Sequence, residues 1–171
     1  TGNVIYLRIG DRWSAGKKPI MKNITIKNVY AEIPMDKPDA GYNYEGPIED
    51  LPRNISPASI VGLPEYKIQN VTLQNIEIVS PGGVNPYYAY RGLAPAELDS
   101  IPEMATSYPE FSQFKELPAW GFYIRHAEGI IFDNVTFKAL KKDYRPAIVM
   151  DDAGKVTFKD VRFVEPESDG K

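Results

Sequence analysis

Four stretches of this chain place the same kinds of residue at the same distances from an Asn or Asp, and that recurrence constrains the fold more than any other feature. The stretches are "KNITIKNV" (22–29), "QNVTLQNI" (69–76), "FDNVTF" (132–137) and "KVTFKDV" (155–161), aligned on Asn28, Asn75, Asn134 and Asp160. Four residues earlier stand Ile24, Val71, Ile130 and Val156, and two earlier stand Ile26, Leu73, Phe132 and Phe158. One residue later come Val29, Ile76, Val135 and Val161, and three later come Ala31, Ile78, Phe137 and Phe163. Between them Lys27, Gln74, Asp133 and Lys159 are polar. Apolar residues alternating with polar ones at period two mark a strand with one buried face. The phase slips by one at the Asn or Asp, so a strand passing straight through would send its two flanks to opposite faces. The chain must bend there, and Asn and Asp tolerate the left-handed backbone of a one-residue corner better than other residues with a side chain. Asn side chains stacked at successive corners can also bond to one another in a ladder.

A further strand precedes each corner unit. "IYLRIGD" (5–11), "FYIRHAE" (122–128) and "IVMDDAG" (148–154) align without gaps, and "SIVGLP" (59–64) more loosely. Ile5 and Leu7, Phe122 and Ile124, Ile148 and Met150 form one face. Tyr6 and Arg8, Tyr123 and Arg125, Val149 and Asp151 form the other. The corners are 47, 59 and 26 residues apart (28 to 75, 75 to 134, 134 to 160). The shortest interval is a bare unit; the longer two carry insertions, 34–56 and 80–117, rich in Pro, Gly and Tyr. "APAELDSI" (94–101) has the makings of a turn or two of helix. Short strands repeating at about this period predict a solenoid. A leucine-rich repeat places its Asn differently and needs a helix or comparable segment per unit, whereas the Val, Ile, Thr and Phe content favours strands. The expected fold is all-β, a right-handed parallel β-helix of about four coils with two inserted loops, making 1–171 a single domain. The sequons Asn23-Ile-Thr and Asn70-Val-Thr are then by-products of the strand consensus rather than glycan sites.

Composition excludes several functions. With 171 residues, 43% hydrophobic and net charge −3, nothing argues electrostatically for nucleic acid or an anionic membrane. No apolar run approaches the roughly 18 residues that span a bilayer. There is no cysteine and a single histidine, His126, so neither thiolate chemistry nor a His/Cys metal site is expected, and no cofactor is implied.

"YLRIGDRWSAGKKPIMKNITIKNV" resembles the late part of glycoside hydrolase family 28, the polygalacturonase-like enzymes, in which an Arg-Ile-Lys strand precedes a Gly-containing turn and an N-I-T strand. "YPEFSQFKELPAWGFYIRHAEGIIFDNVTF" and "DYRPAIVMDDAGKVTF" resemble the C-terminal coils of Bacteroides-type members. The resemblance implies a pectin-lyase-like solenoid, an inverting hydrolase of galacturonan or rhamnogalacturonan, and a periplasmic or secreted location. It also implies carboxylic acids on either side of the scissile bond with room between them for water. The family's N-T-D, G-D-D and G-H-G motifs are not found here, and of R-I-K only Arg8-Ile9-Gly10 remains, with Arg12 two residues on. The expectation is therefore a C-terminal part of such an enzyme that carries one wall of the substrate groove without the catalytic acids. Earlier coils or another chain would cover the open end of its first coil. A non-catalytic polysaccharide-binding module and a purely structural β-helix are the competing readings.

The residues expected to face a pectic polysaccharide are Tyr6, Arg8, Asp11, Arg12, Trp13, Arg125 and His126. A surface salt bridge from Arg8 to Asp11 is the alternative for Arg8. Arg125 either extends a basic strip or anchors the second insertion, the latter preferred. His126 is expected to bond to backbone or to an inserted loop. Asp151-Asp152 resembles a paired-carboxylate site. Adjacent strand residues point oppositely, however, so a turn paired with Arg125 or Arg145 is expected instead. "NPYYAYRG" (85–92) either lines the groove or packs on the coil wall.

Overall fold

The computed structural model describes residues 3–34, 56–83, 92–108, 114 and 117–167. Its elements are β1 (Tyr6–Arg8), β2 (Lys22–Glu32), β3 (Ala58–Val61), β4 (Ile68–Gly82), α1 (Pro95–Asp99), β5 (Phe122–Lys141) and β6 (Ile148–Val164). The six strands form one sheet in the order β1-β3-β5-β4-β2, with β6 also on β5, and the pairings between strands are all parallel. The described residues form a curled parallel sheet with almost no helix, compatible with an all-β fold. The chain passes along the sheet four times: β1 with β2, β3 with β4, then β5, then β6.

The alignment read from the sequence is the register of the sheet. Ile24 pairs with Val71, Val71 with Ile130, and Ile130 with Val156; Val29, Ile76, Val135 and Val161 follow in the same way. In the preceding strand Tyr6, Ser59, Tyr123 and Val149 share a column, as do Arg8, Val61, Arg125 and Asp151. The expected helical turn is present as α1, with Pro95 at its first position and Glu97 accepting from the Ala94 N–H at 3.0 Å. The second insertion begins later than expected, since β4 runs to Gly82. The first insertion and most of "NPYYAYRG" lie outside the described residues.

The concave side of the curl holds the main core. Val71, Leu73, Phe122, Ile124, Ile130 and Phe132 are buried there. The aromatic members pack in two geometries. Phe122 meets Phe132 and Phe137 edge-on at 5.1 and 5.7 Å, whereas Phe132 stacks on Phe158 at 5.1 Å and Phe137 on Phe163 at 5.6 Å. Stacking up the column and edge contacts within a pass are the two arrangements that aromatic quadrupoles favour.

All four aligned corners are left-handed, with φ of 59° at Asn28, 52° at Asn75, 55° at Asn134 and 52° at Asp160. Their amides form the expected ladder: Asn134 Nδ2 donates to Asn75 Oδ1 at 3.0 Å, and Asn75 Nδ2 to Asn28 Oδ1 at 3.1 Å. A second left-handed column, which the sequence reading missed, lies five residues earlier at Asn23 (60°), Asn70 (55°), Gly129 (72°) and Lys155 (52°). Asn70 donates to Asn23 at 3.1 Å, so the Asn residues of these two sequons serve as corner residues with their amides engaged. Gly129 opposes Asn70 closely, and a Cβ there would sit 2.8 Å from Asn70 Oδ1.

Replacing Asn134 with Ala should cost about 1–2 kcal/mol for the left-handed backbone, plus roughly 1 kcal/mol for the ladder bond. Asn134→Gly should lose much less, because glycine adopts that backbone freely. Urea unfolding of the two variants checks this, and equal losses would remove the corner as the cause.

Candidate functional site

The outward face of β1, β3, β5 and β6 was expected to carry Tyr6, Arg8, Arg125 and His126, with the second insertion anchored at Arg125. Residues of that insertion do lie on it. Ile101, Phe114 and Leu117 form a second buried cluster with Val61, Tyr123 and Val149, and Tyr6, Leu98 and Met104 pack against its margin. The physical reason is composition: Tyr123, Val149 and Val61 make this face apolar too, and a sheet apolar on both sides needs cover on both.

Arg8 lies beneath this cover, with 8% of its surface exposed. Its guanidinium donates to the carbonyls of Met104 and, at 3.2 Å, Tyr108, and lies 5.0 Å from the centre of the Phe114 ring. Asp11, its other expected partner, instead accepts from the Ser14 hydroxyl.

Arg125 occupies the same column two passes on and is also buried. It donates to the Ile101 carbonyl at 2.6 Å and pairs with Glu103 at 2.9 Å and Asp151 at 3.0 Å. One guanidinium thus fastens the insertion to the wall and to the next pass.

His126 sits beside it in a left-handed conformation (φ 49°), as does Asp152 (φ 47°). The ring nitrogens face two carboxylates, Nδ1 at 2.7 Å from Asp152 Oδ2 and Nε2 at 3.0 Å from Glu103 Oε1. Asp152 also pairs with Lys67. The His126 and Lys67 contacts hold the Asp152 carboxyl below the usual range.

Asp151 and Asp152 stand at a turn, and Asp151 pairs with Arg125, as expected. The left-handed corner turns consecutive residues into one cluster, where both acids meet cations. Arg145 is not their partner; it forms its own buried pair with Asp143 at 2.9 Å. Beside Arg125, burial pushes the Tyr123 phenol well above its ordinary range, so it remains a neutral core tyrosine. Among the described residues, no three His, Cys, Asp or Glu side chains are grouped to hold a metal ion.

The open part of the site lies past the end of β1. Trp13 is 83% exposed and Tyr108, from the insertion, 63%. The Arg12 guanidinium sits over both rings, 5.1 Å from the Trp13 centroid and 5.7 Å from that of Tyr108. Two aromatic faces flanking a cation form a platform for a ring that is apolar on one face and carries polar or anionic substituents. Of the seven predicted residues the structure therefore makes two groups. Tyr6, Arg8, Arg125 and His126 lie where the wall meets the insertion, while Asp11, Arg12 and Trp13 lie on the surface.

Glu103, Lys67 and Tyr108, which complete these groups, carried no local signal because each acts on residues far away in sequence. Comparison with protein-family models, with curated proteins and with solved structures finds no match to this chain.

Proposed function

We propose that the curled sheet is part of a right-handed parallel β-helix of the glycoside hydrolase family 28 kind, and that this chain binds pectic polysaccharide without cleaving it. In this reading it is a C-terminal portion of a secreted or periplasmic pectin-degrading enzyme, whose catalytic acids are carried by other coils. The in-register passes and repeated corners support the solenoid. The "YLRIGD" and "DYRPAIVMDD" resemblances support the family.

The observation that carries the binding role is the exposed Trp13–Arg12–Tyr108 platform. Aromatic faces would take the apolar face of a sugar ring, and the guanidinium would take a uronate carboxylate.

Calorimetric titration with galacturonan oligosaccharides tests it. Trp13→Ala should weaken binding about tenfold, equivalent to about 1.4 kcal/mol, with no change in thermal unfolding because the side chain is exposed. Unchanged affinity in that variant would remove the platform. Release of reducing ends by the purified chain would overturn the non-catalytic assignment. Absence of binding to any pectic oligosaccharide would favour a purely structural β-helix.

A further inference from the structure

Residues 101–108 of the second insertion are fastened to the wall by three basic side chains and one backbone amide. Arg125 takes the Ile101 carbonyl and Glu103, and Arg8 takes the Met104 and Tyr108 carbonyls. The Asp11 N–H donates to the Ala105 carbonyl at 2.6 Å. The third basic side chain is His126, on Glu103 at 3.0 Å. Guanidinium groups keep their charge, whereas histidine is the side chain that changes charge between about pH 5 and 8. We propose that His126 is a proton-operated latch on this segment. As imidazolium it ties Glu103 of the insertion to Asp152 of β6, and on losing its proton it lets the segment loosen. Tyr108 is the far end of the same segment, so the latch also regulates the aromatic platform, a consequence that rests on the carbohydrate reading above.

The geometry requires the charged ring. Nδ1 lies 2.7 Å from Asp152 Oδ2 and Nε2 lies 3.0 Å from Glu103 Oε1. A carboxylate only accepts, so each contact needs an N–H, and only imidazolium carries two. In either neutral tautomer a lone pair meets a carboxylate oxygen at hydrogen-bond distance. The ring has little room to turn away. Its side chain is 8% exposed, and residue 126 sits in a left-handed corner between the paired neighbours Arg125–Asp151 and Ala127–Ala153. A Cβ on Gly62 would lie 2.3 Å from the His126 carbonyl oxygen, so the backbone beneath the ring is closely packed too.

The surrounding charges set the direction. From β6 the ring faces Asp152, with Asp151 alongside on Arg125, and from the insertion it faces Glu103. On its own strand Arg125 shares Glu103 Oε1, at 2.9 Å, and from the turn before β4 Lys67 shares Asp152. The His126 and Lys67 contacts hold the Asp152 carboxyl below the usual range, so that partner stays anionic into mild acid. The latched state binds a proton that the loosened state gives up. Attachment is therefore strongest on the acid side of histidine's range and weakens as pH rises through it. The two guanidinium groups remain, so the segment loosens without leaving the wall.

His126 is the chain's single histidine, so imidazole signals in a nitrogen-15 spectrum of the untagged chain belong to it. Both ring nitrogens should carry protons near pH 6, and one should not near pH 8. Hydrogen exchange gives the local readout. Protection of residues 101–107 relative to β4 should fall roughly tenfold between those two conditions, the scale of one charge-assisted hydrogen bond. Amides of β4 in the same sample cancel the intrinsic pH dependence of exchange. His126→Asn keeps a residue suited to a left-handed corner and removes the titration. Its segment should exchange at both pH values as the wild type does at the higher one. If circular dichroism shows that variant misfolded, Glu103→Gln replaces it. A side-chain amide can accept from the ring or donate to it, so protection should no longer follow pH.

A wild-type ratio that is the same at both pH values overturns the latch, as does a ring with one proton near pH 6. So does a pH dependence that survives in the folded variant. Calorimetric titration with galacturonan oligosaccharides at both pH values keeps the two readings apart. Weaker binding at the higher pH in the wild type but not in Glu103→Gln supports the link through Tyr108, and affinity that ignores pH while exchange follows it removes that link. Exchange that follows pH with no binding at all rejects only the carbohydrate reading. Binding with exchange that ignores pH rejects only the latch.

Discussion

Phe132→Ala should lose roughly 3–5 kcal/mol of stability, the usual cost of emptying a fully buried aromatic position. Phe132 has no exposed surface and is held from two directions, edge-on to Phe122 and face-to-face with Phe158, each at 5.1 Å. Its neighbours belong to two passes joined by strand pairing. They cannot collapse into the void without shifting the register, so the cavity term should be fully expressed. A domain of this size has only about 5–15 kcal/mol in total, so the variant should unfold at a markedly lower urea concentration or be recovered only partly folded. Ile131→Ala is the control. It lies next in the chain but points outward and is exposed, so it should change stability by less than about 0.5 kcal/mol. Equal losses at the two positions would contradict the alternation on which the inner column depends.

That column was legible because it is written in residue type. Ile, Val, Leu or Phe recurs at fixed offsets from a corner, and a corner residue has few alternatives. The second corner was harder to read, since Gly129 and Lys155 replace the Asn found at 23 and 70. Left-handed backbone there is enforced by stacking on neighbouring passes, which allows even a lysine. The pairing of Asn23 with Asn70 at a constant distance before Asn28 and Asn75 was the available signal.

The outward face was legible only in part. Tyr123 and Val149 are equally compatible with a groove wall and with a surface covered by protein, and period-two patterning cannot distinguish sugar from an inserted loop as the cover. Trp13 and Arg12 were legible as candidates because an aromatic face and a guanidinium just past Arg8 are the groups that suit a sugar ring and its carboxylate. Tyr108 was not, because its approach to Arg12 depends on how the second insertion folds back.

Arg125 decides whether that insertion stays in place. Its guanidinium reaches the Ile101 carbonyl at 2.6 Å, Glu103 at 2.9 Å and Asp151 at 3.0 Å, and it is nearly fully buried. In Arg125→Met the aliphatic stem is kept but Glu103 and Asp151 lose their common cation, and the Ile101 carbonyl loses its donor. Breaking a buried ion pair from one side costs about 3–5 kcal/mol. The lower end is expected here, because the Glu103 side chain is 32% exposed and can turn to water. Arg125→Lys should recover little, since an ammonium cannot address three acceptors in the directions a planar fork does. Arg125→Met with Glu103→Gln should cost less than the sum of the singles, the shared partner making them non-additive. The distinguishing readout is local. Amides around Ile101 to Ser107 should exchange with solvent much faster in Arg125→Met, while those of β4 keep their protection, because the wall persists after its cover lifts. Unchanged exchange around Ile101 would mean that Phe114 and Leu117 hold the insertion by packing alone, and Arg125 would then have no anchoring role.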